Sequence, residues 1–460
     1  MISVCTYNHL NACVPIISSM FLGSKVSGFH PTQSLSDMIH CFKITKPKVV
    51  FVGVESVKQF EKVISNVDAL TTLIVFGETD VHTSFLSVIQ PCDEEFSFQP
   101  VTARNIKDEV VIFFSSGTSG YPKGICHTHF SLLSAPPTFF RIGPSSVFLN
   151  IEVPYWNVYL FILYFTVSNG ITQMIYPKFY EDDPWKVFGR KVDTVVLITT
   201  NAVTVANTPK PDSVDVSTIR TFITGGSPLT INQIAQIKAT FPLTLISVNY
   251  GQSEVFQTVA CFDLENSKHV SLLNSKPTSC GLPKPGISYK IIDLETGKAL
   301  GPNAPGEILL KTNSQLSGYY NQKSDYIWDQ NGWLHTGDCG YYDDDFCFFI
   351  IDRVKEMFKY RYWHIVPAVI ENILLRHQDV KKAVVVGVPH EVDDHHAMAF
   401  VQLKDGAVAS EDEIVKFVED RVEDRQRLRG GVKFLNTFPL TPSNKINRSK
   451  LKQMAIDEFV

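Results

Sequence analysis

The apolar run Val110-Val111-Ile112-Phe113-Phe114 leads directly into Ser115-Ser116-Gly117-Thr118-Ser119-Gly120-Tyr121-Pro122-Lys123-Gly124. Its β-branched and aromatic residues predict a buried strand. The glycines and hydroxyl residues that follow let backbone N–H groups approach phosphate oxygens closely, and Lys123 adds a positive charge. The spacing differs from that of the P-loop, in which Gly-Lys-Ser/Thr follows a four-residue gap. We therefore predict a phosphate-binding loop from another class of nucleotide enzyme.

The rest of the first three hundred and fifty residues alternates apolar runs with helical stretches, which favours an α/β fold. The predicted strands are nearly continuous in Val, Ile and Leu, as in parallel strands covered on both faces. They include residues 49–52, 72–76, 194–198, 219–223 and 243–248. We expect a large, layered N-terminal domain with mostly parallel sheets over residues 1–351.

Beyond Asp352 the chain is more charged, and we predict a small, mobile α+β domain over residues 352–460 that follows a hinge at this residue. Ser410 and Glu413 have the spacing of a capping box. The helix they begin is expected to include Val422 and to stop at Gly430-Gly431. Residues 384–388 and 399–403 read as strands. Near the end, a polar loop over residues 439–448 presents Lys445.

Three further segments place small or polar residues where ligands bind in open α/β sheets. Thr224-Gly225-Gly226-Ser227 and Asn249-Tyr250-Gly251-Gln252-Ser253-Glu254 each follow a predicted strand, and Gly332-Trp333-Leu334-His335-Thr336-Gly337-Asp338 lies in a turn-rich stretch. Tyr250 offers a flat ring for a base, Glu254 a carboxylate for hydrated Mg²⁺, and Asp338 a carboxylate for ribose hydroxyls.

These segments, in this order, resemble the adenylate-forming superfamily of acyl-CoA synthetases, 4-coumarate–CoA ligases and beetle luciferases. The resemblance extends from about Met1 into the C-terminal domain. It implies that ATP phosphates are held by the first loop, namely Ser115, Ser116, Gly117, Thr118, Ser119, Gly120 and Lys123. It implies that Gly225, Gly226 and Ser227 line the adenine slot, that Tyr250 stacks on the base, and that Gly251 is a further nucleotide-binding residue.

The remaining roles also come from the resemblance. Asp338 would bind the ribose and Arg353 would assist, while Glu254 and Thr118 would serve the Mg²⁺ ion. Lys445 would bridge the carboxylate and the α-phosphate, which makes Lys445, Glu254 and Thr118 the expected catalytic residues. Lys359 lies in the segment that the family uses when CoA attacks the acyl-AMP.

The acyl pocket is expected at Trp156 and Asn157, although their aromatic neighbours also read as the core of a helix. For three other predicted site residues, a purely structural role stays open. Lys445 could be a solvated surface lysine, Glu254 a helix N-terminal carboxylate, and Asp338 a turn residue. For His127, His129, His395 and His396 we expect surface or turn positions rather than a metal site, because no partners stand at ligand spacing.

The chain departs from the family pattern in four ways. Met1 aligns inside the family's opening region, so we expect a leading segment to be absent and the first strands to lose neighbours. Tyr362 stands where the family has glycine, which places thiol transfer in doubt.

Asn444 replaces the glycine before Lys445, a change that left-handed backbone tolerates. Asn157 replaces a histidine, and Phe140 falls near a luciferase arginine; both argue against light production.

The predicted function is therefore activation of a fatty or aryl carboxylic acid by ATP to acyl-AMP, followed by transfer to CoA. Two alternatives remain: a non-catalytic or adenylation-only relative that binds nucleotide or acyl ligand, and, ranked lower, a luciferase-type monooxygenase. ATP, Mg²⁺ and CoA are the expected cofactors and cosubstrates.

Composition narrows the partners and the compartment. A formal net charge of -5 over 460 residues gives no reason to expect nucleic acid. Nine scattered cysteines suggest reduced thiols inside the cell. No apolar run is long enough to span a bilayer, and the last residues are not a peroxisomal signal. The resemblance favours a peroxisomal or cytoplasmic location, and the oligomeric state is not predicted.

Overall fold

The structure is a computed structural model that describes residues 1–115, 121–135, 145–441 and 446–459. These residues form two compact units. The first is drawn from residues 1–115, 121–135, 145–288 and 311–333, and the second from residues 289–310, 334–441 and 446–459. The predicted division at Asp352 stays a prediction. No helix among the described residues is long and apolar enough to cross a membrane.

An eight-stranded sheet contains the first strand of the chain. In spatial order its strands are Gly318–Tyr319, Gly124–Thr128, Glu109–Phe114, Val26–Phe29, Ile2–Cys5, Val49–Gly53, Thr72–Phe76 and Thr83–Ser84. All neighbours from Glu109–Phe114 onward run parallel. Ile2–Cys5 is paired on both sides, so the expectation that the first strands lack neighbours is wrong. Strand order depends on long-range crossovers, which the local sequence does not reveal.

A five-stranded, fully parallel sheet forms the second layer of the first unit. Its spatial order is Leu245–Asn249, Thr221–Gly225, Thr194–Ile198, Val147–Asn150 and Thr172–Ile175. A two-stranded antiparallel ribbon joins Ala260–Cys261 to Leu282–Pro283. The predicted α/β class with mostly parallel sheets is confirmed.

Nine α-helices are described in the first unit: Cys13–Phe21, Leu35–Thr45, Val57–Val67, Phe85–Val88, His129–Leu133, Asn157–Ser168, Thr199–Asn207, Ile231–Thr240 and Ser267–Ser275. Short 3₁₀ helices cover Val54–Ser56, Asp93–Ser97, Pro184–Phe188 and Asp325–Ile327. The helix Asn157–Ser168 is apolar nearly all round and mostly buried, as expected for a core helix.

Two sheets make up most of the second unit. One has the order Ile287–Ile292, Gly306–Thr312, Leu334–Tyr342 and Phe348–Arg353, although residues 287–288 and 311–312 of these strands belong to the first unit. The other has the order Trp363–Ile365, Phe358–Tyr360, Asp394–Leu403 and Val380–His390, with Val432–Phe434 added beside Asp394–Leu403. The helices Pro367–Leu374, Glu411–Glu419 and Arg448–Phe459 accompany them, with 3₁₀ turns at Val354–Glu356 and Asp424–Gln426.

The predicted helix in the C-terminal part starts correctly but ends too late. Ser410 Oγ accepts the Glu413 N–H at 3.2 Å, as an N-cap does. The helix stops at Glu419, well before Gly430-Gly431. Val422 still packs against the apolar cluster of this unit, but from outside the helix, so its helix-like spacing was misleading.

Candidate active site

Strand pairing closes the base of the predicted phosphate loop. Phe114 and Gly124 are partners in an antiparallel pair. Ser115 N–H donates to Lys123 O and Lys123 N–H donates to Ser115 Oγ, both at 2.9 Å. Lys123 Nζ lies 2.7 Å from Tyr326 Oη and 4.9 Å from the ring centroid of Tyr319. The loop therefore leaves the sheet from a fixed base.

The central part of this loop, Ser116, Gly117, Thr118, Ser119 and Gly120, lies outside the described residues. The phosphate-binding and catalytic roles assigned to it therefore stay predictions.

The predicted adenine-binding glycines stand at the carboxyl end of strand Thr221–Gly225. A side chain on Gly225 would place its Cβ 2.7 Å from Asn249 O, which no non-glycine residue could accommodate without a shift. Gly226 has φ of +93°, a conformation that favours glycine. Ser227 Oγ lies 2.6 Å from Thr199 Oγ1. Backbone packing and conformation thus explain both glycines.

Tyr250 follows the neighbouring strand, in register with these glycines. Gly225 is the strand partner of Asn249, so the two predicted adenine-binding segments leave the same edge of the parallel sheet. Tyr250 N–H donates to Ala260 O at 3.0 Å and Tyr250 O accepts from Val259 N–H at 2.8 Å. The side chain is buried. Two segments from different parts of the sequence therefore meet at one edge, where open α/β sheets bind ligands.

The turn Gln252–Glu254 is held by three contacts to its carbonyl groups. Asn157 Nδ2 donates to Gln252 O at 3.4 Å, His127 Nε2 to Ser253 O at 2.8 Å, and Leu316 N–H to Glu254 O at 2.8 Å. The turn that presents the predicted Mg²⁺ carboxylate is thereby fixed by several elements.

His127 is a residue of this site that the sequence did not reveal. It is fully buried on strand Gly124–Thr128, and burial lowers its pKa to about 4. The neutral ring can donate one N–H while staying uncharged. The predicted surface or turn position was wrong, because a histidine in a β-run carries no local sign of burial.

Trp156 and Asn157, the predicted acyl-pocket residues, stand at the start of helix Asn157–Ser168, and their role stays a prediction. The Trp156 ring stands 4.7 Å from that of Tyr155, edge to face, and 6.0 Å from that of His30. Nearby Glu152 is buried, and burial raises its pKa to about 7. The surroundings of Trp156 are therefore aromatic.

In the second unit the predicted ribose carboxylate is engaged by the predicted assisting arginine. Asp338 and Arg353 are cross-strand partners, and Arg353 Nε lies 2.7 Å from Asp338 Oδ1. Asp338 is buried, with a side-chain exposure of 5 %, whereas Arg353 is 51 % exposed. The structure thus brings these two predicted residues together.

Glu307 supports the strand residues just before Asp338. Its Oε2 lies 3.0 Å from His335 Nδ1, and its Oε1 accepts the Gly337 N–H at 3.2 Å. Gly337 has φ of +67°. The carboxylate position is therefore fixed by neighbouring strands.

The segment assigned to thiol transfer is a tight hairpin between Phe358–Tyr360 and Trp363–Ile365. Lys359 Nζ lies 3.3 Å from Glu295 Oε1. Arg361, not Tyr362, adopts the left-handed conformation, with φ of +53°. Tyr362 is 92 % exposed. The expectation that Tyr362 occupies backbone suited to glycine is therefore wrong by one residue.

Lys445 lies outside the described residues, as do Asn444 and Phe140, and the roles argued for all three stay predictions. The described residues that flank positions 442–445 pair with one another. Leu440 and Ile446 form an antiparallel bridge, and Asn447 N–H donates to Pro439 O at 2.8 Å. The loop that presents the predicted catalytic lysine is thus closed at its base.

Asp352, the predicted hinge, is tied to the helix that follows it. Its Oδ1 accepts the Arg353 N–H at 2.8 Å, and its Oδ2 accepts the Ala368 N–H at 3.1 Å. Ala368 lies in the first turn of helix Pro367–Leu374, where a carboxylate is favourable. The side chain therefore links strand and helix, and its role as a hinge stays a prediction.

Sequence comparison agrees with this arrangement. The pattern of the AMP-binding enzyme family matches residues 1–320, and that of the AMP-binding enzyme C-terminal domain matches residues 369–445. The chain belongs to the AMP-binding enzyme family. This membership confirms the adenylate-forming superfamily inferred from the motifs.

Relatives of this AMP-binding enzyme have different activities. A luciferin 4-monooxygenase of Luciola mingrelica is 29% identical, with 98% of this chain and 84% of the relative covered. The 4-coumarate–CoA ligase 1 of Solanum tuberosum is 28% identical, with 95% and 81% covered.

Solved structures resemble the AMP-binding enzyme as well. The luciferase-like enzyme from the nonluminescent mealworm Zophobas morio is 32% identical with a TM-score of 0.71, covering 78% of this chain and 84% of the mealworm chain. ATP-bound MatB from Rhodopseudomonas palustris has a TM-score of 0.87 at 20% identity, covering 100% of this chain and 89% of its own. The second likeness concerns the fold alone.

Proposed function

We propose that this AMP-binding enzyme is an acid–thiol ligase that activates a fatty or aryl carboxylic acid with ATP and transfers the acyl group to CoA. The main support is the sheet edge at which Gly225 and Tyr250 meet, because Gly225 is paired in register with Asn249, the residue before Tyr250. The closed base of the Ser115–Lys123 loop adds further support.

The proposed reaction has two steps. In the first, a carboxylate oxygen attacks the α-phosphorus of ATP, the bond from that phosphorus to the bridging oxygen breaks, and pyrophosphate leaves. In the second, the CoA thiolate attacks the acyl carbon, and AMP leaves with the electron pair of the broken C–O bond. Both steps begin with attack by an anion, so positive charge near the phosphates lowers the barrier.

Lys445 is proposed to supply that charge at the α-phosphate in the first step. The residues on either side of it support this role, because strand-like contacts close the loop beneath it. Glu254 offers a carboxylate oxygen of the type that Mg²⁺ prefers, and the ion, when bound, would offset phosphate charge. Asp338 is proposed to accept hydrogen bonds from the ribose hydroxyls, with Arg353 beside it.

The acid is proposed to be fatty or aryl because Trp156, a predicted acyl-pocket residue, packs against the rings of Tyr155 and His30. Transfer to CoA and a peroxisomal or cytoplasmic location rest on the resemblance to the family. A luciferase-type reaction is less favoured, since Asn157 stands in place of the family histidine and the 32% identical relative comes from a nonluminescent mealworm.

One specific observation favours adenylation without transfer as a second candidate. The non-glycine residue Arg361 has φ of +53° in the thiol-transfer hairpin, a conformation that costs about 1 kcal/mol or more outside glycine and asparagine. If this hairpin cannot adopt the arrangement needed for transfer, acyl-AMP would form without reaching a thiol.

Two assays on the full chain separate these candidates. Carboxylate-dependent exchange of labelled pyrophosphate into ATP is measured over a panel of fatty and aryl acids, and acyl-CoA is then measured with CoA added. Exchange with thioester formation supports the ligase, and exchange alone supports adenylation only. Absence of exchange with every acid, in protein shown to be folded, would refute both.

A matched pair of variants tests the role of Lys445. Lys445→Ala is expected to lower exchange by about a hundredfold or more while ATP binding is largely kept. Lys450→Ala removes an exposed lysine of the next helix and should leave exchange unchanged. Equal exchange in the two variants would contradict the proposed role.

A further inference from the structure

Two histidines and an aspartate converge at the end of the long hairpin in the second unit. The hairpin pairs Val380–His390 with Asp394–Leu403. His390 is the strand partner of Asp394, and His396 is the partner of Val388. Because side chains two residues apart on a strand share a face, His390 and His396 are diagonal neighbours on one face. Asp393 lies in the connecting turn, next to both.

The three side chains are close enough to share one ion. Asp393 Oδ2 lies 2.9 Å from His396 Nε2 and 3.8 Å from His390 Nδ1. One ligand atom from each residue lies within 4.8 Å of the others. Two ligand atoms of a tetrahedral zinc ion, each about 2.0–2.1 Å from the metal, are about 3.3 Å apart. The two distances from Asp393 Oδ2 to the histidine nitrogens, 2.9 and 3.8 Å, lie on either side of this value.

The two imidazole rings lie face to face. Their centroids are 3.8 Å apart with an interplanar angle of 20°. A metal ion takes a neutral imidazole nitrogen through the lone pair in the ring plane, so one of these stacked rings has to turn for both nitrogens to reach one ion. His390 Nδ1 accepts the Asp393 N–H at 3.2 Å and the Val392 N–H at 3.4 Å, and turning the His390 ring would release both contacts.

Arg361 keeps one oxygen of Asp393 occupied and leaves the other facing the histidines. Arg361 Nε lies 2.7 Å from Asp393 Oδ1, and Arg361 N–H donates to Asp393 O at 2.8 Å. Asp393 and His396 are 11 % and 19 % exposed at the side chain, and His390 is 41 % exposed. An ion could therefore enter from the His390 side.

We infer that His390, Asp393 and His396 bind a divalent transition-metal ion such as Zn²⁺. Two imidazoles and one carboxylate are ligands of the type that this ion takes, and three protein ligands leave a further position for water. Arg361 connects the site to the hairpin that carries Lys359, so the bound ion would stiffen that hairpin. The binding itself does not depend on the proposed ligase function.

Titration of the full-length, chelator-treated protein with Co²⁺ and Zn²⁺ tests the site. Tetrahedral Co²⁺ is followed by its visible absorption, and Zn²⁺ by calorimetry and by displacement of Co²⁺. We expect saturable binding of one ion. His390→Ala and His396→Ala should each weaken it by about tenfold or more.

His395→Ala is the matched control. His395 is paired with Pro389, on the other face of the strand from His396, and its Nδ1 lies 3.0 Å from Asp394 Oδ1. This variant should bind Co²⁺ like the parent protein, and circular dichroism should show all three variants folded. Unchanged affinity in His390→Ala and His396→Ala, or no saturable binding by the folded parent, overturns the inference.

These outcomes are independent of catalysis. Metal binding without pyrophosphate exchange would leave the site supported and the ligase proposal refuted. Pyrophosphate exchange without metal binding would support the ligase proposal and refute the metal site.

Discussion

Arg448 Nη2 lies 2.8 Å from Glu371 Oε1 in the second unit, where the two side chains are 23 % and 12 % exposed. Arg448 Nη1 also donates to Val385 O at 3.1 Å, and Glu371 Oε1 accepts the Val385 N–H at 2.7 Å. This pair joins helix Pro367–Leu374, strand Val380–His390 and the first residue of helix Arg448–Phe459. Because Arg448 follows Lys445 by three residues, the pair fixes the chain just beyond the predicted catalytic lysine.

Arg448→Met should destabilise the protein by about 3–5 kcal/mol, since the buried Glu371 carboxylate would lose its partner. Denaturant unfolding followed by circular dichroism measures the effect. The double variant Glu371→Met/Arg448→Met should recover much of the loss, because no unpaired charge remains. If the double variant is as unstable as Arg448→Met alone, the charge pair is not the cause.

Pyrophosphate exchange gives a second measurement on the same variant. At a temperature at which Arg448→Met is folded, kcat for exchange should fall more than KM for ATP rises, because the loop bearing Lys445 loses an anchor while the nucleotide-binding residues of the first unit are intact. An unchanged kcat would limit Arg448 to a role in stability.

Tyr362→Gly should change thioester formation by less than about twofold. Tyr362 is exposed and is not among the described residues with left-handed backbone, so glycine gains nothing conformational there. Acyl-CoA production from a substrate that supports exchange is the measurement. Should glycine restore transfer that the parent chain lacks, the bulk of the tyrosine ring would be the obstacle.

Gly225→Ala should weaken ATP binding and destabilise the protein by about 1–3 kcal/mol, as overpacking does. The new Cβ would lie 2.7 Å from Asn249 O, and relief would push the two predicted adenine-binding segments apart. Gly189→Ala is the control, because its Cβ would meet only Lys186 O at 3.6 Å. Calorimetric ATP titration and thermal unfolding compare the two, and equal effects would contradict the proposed close packing.

Glu152→Gln should make the protein more stable at pH 8 and leave it nearly unchanged at pH 4. Burial raises the pKa of Glu152 from 4.5 to about 7, so the folded state holds this proton while the unfolded chain releases it. Stability is therefore lost as pH rises from about 4.5 to 7. The variant escapes that loss, which amounts to about 3 kcal/mol at most.

Urea unfolding of both proteins across this pH range is the measurement. Glu265→Gln, at an exposed position, should follow the parent at every pH. A constant difference between Glu152→Gln and the parent would mean that Glu152 does not titrate as described.

Local sequence predicted the elements that depend on local properties. Continuous apolar runs located the strands Thr72–Phe76 and Thr194–Ile198 to the residue, because buried parallel strands contain little else. The motif order likewise identified the family. The edge shared by Gly225 and Tyr250 was expected from the rule that ligands bind at strand ends.

What depends on register or distant packing was not predictable in this way. His390 and His396 become neighbours only through the hairpin pairing, and the spacing along one strand does not contain that information. The same holds for His127, whose partner Ser253 is 126 residues away. The family glycine aligns with Tyr362, but the left-handed backbone is found at Arg361. Sequence alone does not show which of two neighbouring turn residues adopts the positive φ.

The in-register pairing of Gly225 with Asn249 has a consequence for base selectivity. Since the two predicted adenine-binding segments start at the same level of one sheet, moving their first residues apart would break strand hydrogen bonds. A larger or differently substituted purine would have to be accommodated by side chains alone. Discrimination between ATP and GTP should therefore resist changes in the surface loops and respond to substitutions beside the two strand ends.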